Sequence, residues 1–518
     1  DLEMPDCHGE TDRQIVDAVK DGSLSMDVLN SSVRRILTLV DKFQKNKKQN
    51  ATYNKEAHHQ LARKVAADCA VLLKNDGMLP LDRGKKIAVI GTFAEMPRIQ
   101  GGGSSHIHCF RIESALDVLG NVPYAPGFSI EQDTIDAALE KEAITLASQA
   151  EVAVIFAGLP DSFESEGFDR THLSMPQNQN HLIEEICKVQ PNTVVVLHNG
   201  SPVQMPWLQK VSAVLDLYLA GQASGAAAVD LLYGNVNPSG KLAETFPLRL
   251  EDNPSFLNFP GTRSEVHYRE GIYIGYRYYD KKKMDVLFPF GYGLSYTTFD
   301  YSHASVQVNG QTAAASAVIR DTDTITVSVD ITNTGSRAGQ EIVQLYVQNA
   351  TCEETRPEKE LRDFAKIALE PGETKTVTFT LDQRCFAYYN TDIHDWYAPS
   401  GTYHILLAAS SRDIRQELTV QLESTTQIPF TAGDTTSCDD VYHFAKDPSP
   451  VDALLNKSGF AQATDKSGDE SMGAGTADMM RAMFADTPLH SIISFSGEEL
   501  TIDDIQNTID AINQKESE

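Results

Sequence analysis

The chain has no apolar run approaching ~18 residues, so no bilayer-spanning helix is expected. Positive charge is scarce. Across 518 residues, 44 Lys and Arg stand against 72 Asp and Glu, a formal charge of −28 spread along the chain rather than gathered in one block. Such a surface repels nucleic acid and anionic membranes, so neither is expected as a partner. Cysteine is sparse too: Cys7, Cys69, Cys109, Cys187, Cys352, Cys385 and Cys438 show no C-x-x-C spacing. That odd, scattered set argues against a disulfide framework and structural zinc, and points to reduced thiols and a cytoplasmic setting. The opening DLEMPDCHGE lacks an initiator methionine, a positive n-region and an apolar h-region, and reads as a start inside a longer protein.

Several chemistries lack their residues. The run Gly101-Gly102-Gly103-Ser104-Ser105 has neither the lysine of a P-loop nor the dinucleotide fingerprint, so no nucleotide cofactor is expected. A glycine loop that lets backbone approach a neutral ligand fits better. His106 and His108, beside Cys109, have no further ligand to complete a metal site. Ser201, Ser239 and Ser295 lack the G-x-S-x-G setting of a serine hydrolase.

What is present divides by period. Residues 12–43 carry apolar positions at helical spacing, broken at Asp21-Gly22-Ser23. A lysine-rich linker, 44–57, follows, and then a helix from about His58 to Leu73, stopped at Lys74-Asn75-Asp76-Gly77. Over 58–247, continuous apolar strands alternate with helices at 134–149 and 177–189, the pattern of a parallel sheet covered on both faces. The strands are near 87–91, 152–157, 193–197 and 213–218. After a connecting segment, 248–290, the period becomes two over 291–425, in runs such as 324–331, 341–347, 375–379 and 403–407, which predicts a β-sandwich. Residues 426–518 read as a flexible polar tail holding short amphipathic helices, one at Met479, Met480, Met483 and Phe484 and one at Ile502, Ile505, Ile509 and Ile512. Those helices dock on this chain or pack across a homo-oligomer.

The chemistry concentrates in ESEGFDRTHLSMPQNQ, 164–179, just past the strand at 152–158. The carboxyl end of a strand in an α/β domain is where ligands bind. This loop carries two candidate proton donors, Glu164 and Glu166, beside a charge pair, Asp169 and Arg170, expected to orient it.

Eight blocks stand out along the chain: DLEMP, VLLKNDGMLPL (71–81), IQGGGSSHI (99–107), ESEGFDR (164–170), NGSPVQMPW (199–207), YGNVNPSGKLAETFP (233–247), EGIYIGYRYYD (270–280) and FPFGYGLSYTTF (288–299). In sequence and order they resemble glycoside hydrolase family 3 in its β-glucosidase-like branch, and the resemblance covers residues 1–425. It implies a multidomain α/β plus all-β protein: the end of a (β/α)8 barrel at 1–43, an α/β sandwich domain, a fibronectin type III-like β-sandwich and a short helical C-terminal tail. It also implies an oligosaccharide or β-glycoside substrate. The acid/base maps onto Glu166, with Glu164 as the alternative, Phe168 lines the leaving-group subsite, and Gly103, Ser104 and Ser105 lie against the substrate. The nucleophilic aspartate belongs to the barrel, upstream of residue 1, so the chain alone is expected to be inactive. The competing expectation is a carbohydrate-binding or scaffold module without catalysis.

Overall fold

The computed structural model describes residues 1–313, 316–351, 354–458, 485–496 and 500–517. The chain divides into two units, Asp1–Ala62 and Arg63–Glu518.

In the first unit, α1 (Glu10–Asp21) ends on Gly22, whose φ of 83° only glycine adopts without strain. Helix α2 (Met26–Asn46) begins at Ser25, whose hydroxyl accepts the Val28 N–H. The expected break at residues 21–23 is therefore a C-cap followed by an N-cap. Helix α3 (Lys55–Cys69) crosses the division between the units.

The second unit opens with a correction. The predicted helix does not reach Leu73: α3 stops at Cys69, and Val71–Asn75 forms strand β1. Ala70 to Leu73 are fully buried, and a run apolar on every side suits a sheet strand better than an amphipathic helix. The remaining strands are β2 (Ile87–Ile90), β3 (Tyr124–Ala125), β4 (Val152–Gly158), β5 (Thr193–His198) and β6 (Ala213–Asp216). With β1 they form one sheet in the order β1-β6-β5-β4-β2-β3. Pairings from β6 to β3 are parallel, as expected, whereas β1 joins β6 antiparallel at the edge. Every residue of β2, β4, β5 and β6 is buried, so the core lies on both faces of these central strands. Helices α4 (Ala115–Leu119), α5 (Ala137–Ser148), α6 (Gln177–Val189) and α7 (Ser224–Leu232) connect and cover them.

The following sandwich packs two antiparallel-dominated sheets around Val327, Val329, Leu345, Phe379, Tyr403 and Ile405. It is tied to the α/β layer by Gln340 Nε2 donating to Asp68 at 3.1 Å and by Gln344 Nε2 donating to the Gly291 carbonyl at 3.0 Å.

The C-terminal stretch also departs from expectation. Its described part is not a loose polar tail but a small helical layer with its own core. Buried Cys438, Val441, Val451, Leu454, Leu489 and Ile492 pack with Ile505, Ile509 and Ile512. The polar segment TAGDTTSC, read as flexible, supplies a capping box in which Ser437 and Asp440 satisfy each other's backbone N–H. The helix expected at Ile502–Ile512 is present as Ile502–Ser517 and docks on this chain, while that at Met479–Phe484 lies outside the described residues.

Candidate active site

The site forms where β4 and β5 end side by side. In parallel register Gly158 faces His198, and both strands pass into loops on the same edge. The loop from β4 to α6 is held at its base by Leu159 N donating to the His198 carbonyl (2.9 Å) and by Gly158 N donating to Gln179 Oε1 (2.8 Å). At its far end Gln204 N donates to the Leu173 carbonyl at 2.8 Å. Between these ties the chain projects its charged residues.

The structure brings Glu166 together with the glycine run. Glu166 N donates to the Gly102 carbonyl at 3.2 Å, and Ser104 N returns a bond to Glu166 Oε2 at 2.5 Å. Gly103 has φ +100°, and a Cβ there would lie 2.5 Å from the Glu166 Cβ, so this crossing requires glycine. Hydrogen bonding from Ser104, side chain and then backbone, holds the Glu166 carboxyl below its ordinary value. Ser105 turns away and donates its hydroxyl to the Gly101 carbonyl at 2.9 Å. Phe168 is 49% exposed at the loop tip.

Glu164 sits lower and is enclosed. Its carboxylate accepts from Arg98 Nη1 at 2.6 Å, from Gly200 N at 2.8 Å and from the Ser201 hydroxyl. Burial pushes its carboxyl up, but bonds from Ser201, Arg98 and Gly200 outweigh that and hold it below the ordinary value.

The expected pairing of Asp169 with Arg170 is not found. Arg170 points inward and donates through Nη1 to Ser201 Oγ (2.7 Å) and to the Pro202 carbonyl (2.9 Å). Its Nε and Nη2 are buried without a partner. Adjacent residues on an extended loop project to opposite sides, so Arg170 orients the loop from beneath while Asp169 faces out. The negative charges near Arg170 are Glu164 and Glu244 instead.

Arg98, Asp216 and Glu244 did not stand out in the sequence, and Ser201 was weighed there only as a hydrolase serine. Asp216 closes β6 fully buried, accepting from Tyr218 N at 2.9 Å and from Asn199 Nδ2 at 3.4 Å. Burial raises its carboxyl to about 7, Tyr218 and Asn199 oppose, and the charges of Glu244 and Glu164 add to the rise. Glu244, beneath the Tyr218 hydroxyl at 3.3 Å, is likewise pushed by burial to about 7. His198, stacked between Phe93 and Phe156, is lowered by burial to about 4. For Asp216 the available signal was a lone charge inside an otherwise apolar string, VLDLYLA.

The Asp216 shift gives a prediction with a definite sign. A carboxyl raised in the folded state adds stability below its unfolded value near 4, and loses it as pH climbs through about 7. Asp216→Asn keeps an acceptor for Tyr218 N and gives up only the long 3.4 Å bond from Asn199 Nδ2, which retains the Ser201 carbonyl as its acceptor. It should therefore stabilise the protein at alkaline pH by on the order of 2–4 kcal/mol, and by nearly nothing at acid pH. Thermal unfolding of both forms across the pH range checks this; a constant difference would contradict it.

Comparison with known proteins agrees with this layout. Residues 70–296 match the glycosyl hydrolase family 3 C-terminal domain, and 341–411 match a fibronectin type III-like domain. The chain is 48% identical over 524 residues to thermostable beta-glucosidase B of Acetivibrio thermocellus, covering 100% of this chain and 67% of that protein. It is 42% identical over 438 residues to an exo-alpha-(1->6)-L-arabinopyranosidase of Bifidobacterium breve, covering 82% of this chain and 56% of that protein. The crystal structure of a Bifidobacterium adolescentis family 3 beta-glucosidase superposes with a TM-score of 0.79 at 37% identity, over 87% of this chain and 65% of that one. The chain thus spans 67% and 56% of the lengths of these two curated relatives. By this match of sequence, domain order and fold, the chain belongs to glycoside hydrolase family 3.

Proposed function

We propose that the chain supplies the acid/base part of a retaining β-glycoside hydrolase that removes terminal β-linked sugars. Glu166 is the acid/base, and the nucleophilic aspartate lies on a (β/α)8 barrel upstream of residue 1, of which residues 1–43 are the end. One observation carries this reading: Glu166 stands exposed at the carboxyl edge of a parallel sheet, its carboxylate presented by the Ser104 N–H. The lengths of the relatives and their names as glycosidases support it.

The chemistry proceeds in two balanced steps. The aspartate attacks the anomeric carbon while the bond to the leaving oxygen breaks and Glu166 gives that oxygen its proton. Glu166, now a carboxylate, takes a proton from water, whose oxygen attacks the anomeric carbon and releases the aspartate. The first step needs Glu166 protonated, yet within this chain its carboxyl is held down. A second carboxylate ~5–5.5 Å away and exclusion of water raise such a group. Glu166 should therefore titrate below its ordinary value in this chain and clearly higher once the upstream segment is joined, readable by carbon NMR of labelled glutamate.

In this reading Phe168, exposed at the loop tip, flanks the leaving group, and the backbone of Gly103, Ser104 and Ser105 borders it. The named relatives differ in sugar, so β-glucoside is the first probe rather than the assigned substrate. Hydrolysis of p-nitrophenyl β-glucoside by this chain and by the form carrying the upstream segment tests the division of labour. The longer form should be active and this chain inert; activity in residues 1–518 alone would place the nucleophile among them.

A further inference from the structure

A loop without regular hydrogen bonding needs other ties to hold one side chain still. Between β4 and α6 those ties converge on Glu164. Its carbonyl accepts from Arg98 Nη2 at 2.7 Å, and its carboxylate from Arg98 Nη1, Gly200 N and the Ser201 hydroxyl. Arg98 also reaches Asp161 Oδ1 at 3.1 Å, and Ser201 is braced from behind by Arg170. Side-chain exposure is 5% for Arg98 and 18% for Glu164, so water competes little for these bonds.

The geometry joins three stretches of chain at one carboxylate. The turn after β5 meets it so closely that a Cβ on Gly200 would lie 2.7 Å from Glu164 Oε2. Arg98 begins the stretch that continues through Gly101–Gly103 to Ser104, whose N–H receives the Glu166 carboxylate. Glu164 therefore fixes both sides of the Glu166 contact: the backbone from which Glu166 projects, and the run that receives it. With both oxygens engaged by donors and its carboxyl held low, Glu164 is poorly suited to carry a proton itself.

We infer that Glu164 is a positioning residue, an ionised anchor that sets Glu166 against the Gly103–Ser104 run and acts on the reaction only through it. This rests on Glu166 being the acid/base.

Hydrogen exchange on the present chain is the first test. Glu164→Ala should speed exchange of the amides at 165–169 and 102–106 by roughly 10- to 100-fold while leaving those of β4 and β5 unchanged. Glu164→Gln, which keeps an acceptor for Arg98 and Gly200, should fall between. Unchanged loop exchange would overturn the inference, and so would equal acceleration in β4 and β5, which would mean general loss of stability.

Kinetics of the form carrying the upstream segment supply a readout that general destabilisation does not move. Glu164→Ala should lose at least ~10-fold more activity on an alkyl β-glucoside than on a dinitrophenyl β-glucoside, since only the former needs a well-placed proton. Equal losses would overturn it. If Glu166→Ala, run beside it, also lost equally on both substrates, the acid/base reading would fall, and the exchange result would still decide whether Glu164 anchors the loop.

Discussion

In the form that carries the upstream segment, Glu166→Ala should lower kcat/KM on an alkyl β-glucoside by roughly 10²–10⁴-fold, the range a positioned general acid contributes. The loss should be much smaller on a dinitrophenyl β-glucoside for the glycosylation step, because that leaving group departs without a proton. Turnover on the activated substrate should then be limited by removal of the sugar from the aspartate, which shows as a burst of phenolate and a fall in KM alongside kcat. The side chain contributes little to stability at the exposed loop tip, so the unfolding temperature should not move. A uniform loss on both substrates with no burst would remove Glu166 from the proton-transfer role.

The second large effect concerns the scaffold. Gly158 ends β4 with φ +155°, and a Cβ there would fall well inside the backbone of His198 on the neighbouring strand. No rotamer change relieves a clash with main chain, so β4 and β5 would have to separate at the point where both enter the site. Gly158→Ala should cost about 4 kcal/mol and lower the unfolding temperature of the α/β layer by about 10 °C. Gly84→Ala, at a surface turn where the added carbon meets only the Asp82 side chain at 3.4 Å, should change stability by less than about 0.5 kcal/mol. Calorimetry of the two variants against the parent chain separates them; equal behaviour would mean that β4 and β5 tolerate a wider spacing than their register indicates.

Elements with strong periodicity were legible in the sequence. Helix α6 runs over the expected 177–189 because Leu182, Ile183 and Ile186 form one buried face. Strands β4 and β5 were visible because seven and six successive residues are all buried. Strand β1 was not, since its apolar residues directly continue those of α3 and nothing local marks where a 3.6-residue period gives way to sheet. The C-terminal core was hidden by composition: its apolar residues are spread between polar stretches and meet only through tertiary packing.

The candidate site followed the same division. A charged loop after a buried strand announced itself, but the residues that hold it did not. Arg98, Ser201 and Glu244 are distant in sequence from Glu164 and Arg170; parallel pairing of β4 with β2 and β5 brings the stretches carrying Arg98 and Ser201 alongside, and Glu244 arrives from beyond α7. Neighbours in sequence were misleading here, as Asp169 and Arg170 show: the arginine takes its partners from the loop after β5.

The most direct test of the account uses Glu166→Ala in the form with the upstream segment, incubated with dinitrophenyl β-glucoside and sodium azide. Azide needs no general base, so it should accelerate turnover and yield a glucosyl azide of β configuration, identified by the proton coupling at its anomeric carbon. No acceleration by azide, or a product of α configuration, would contradict the account.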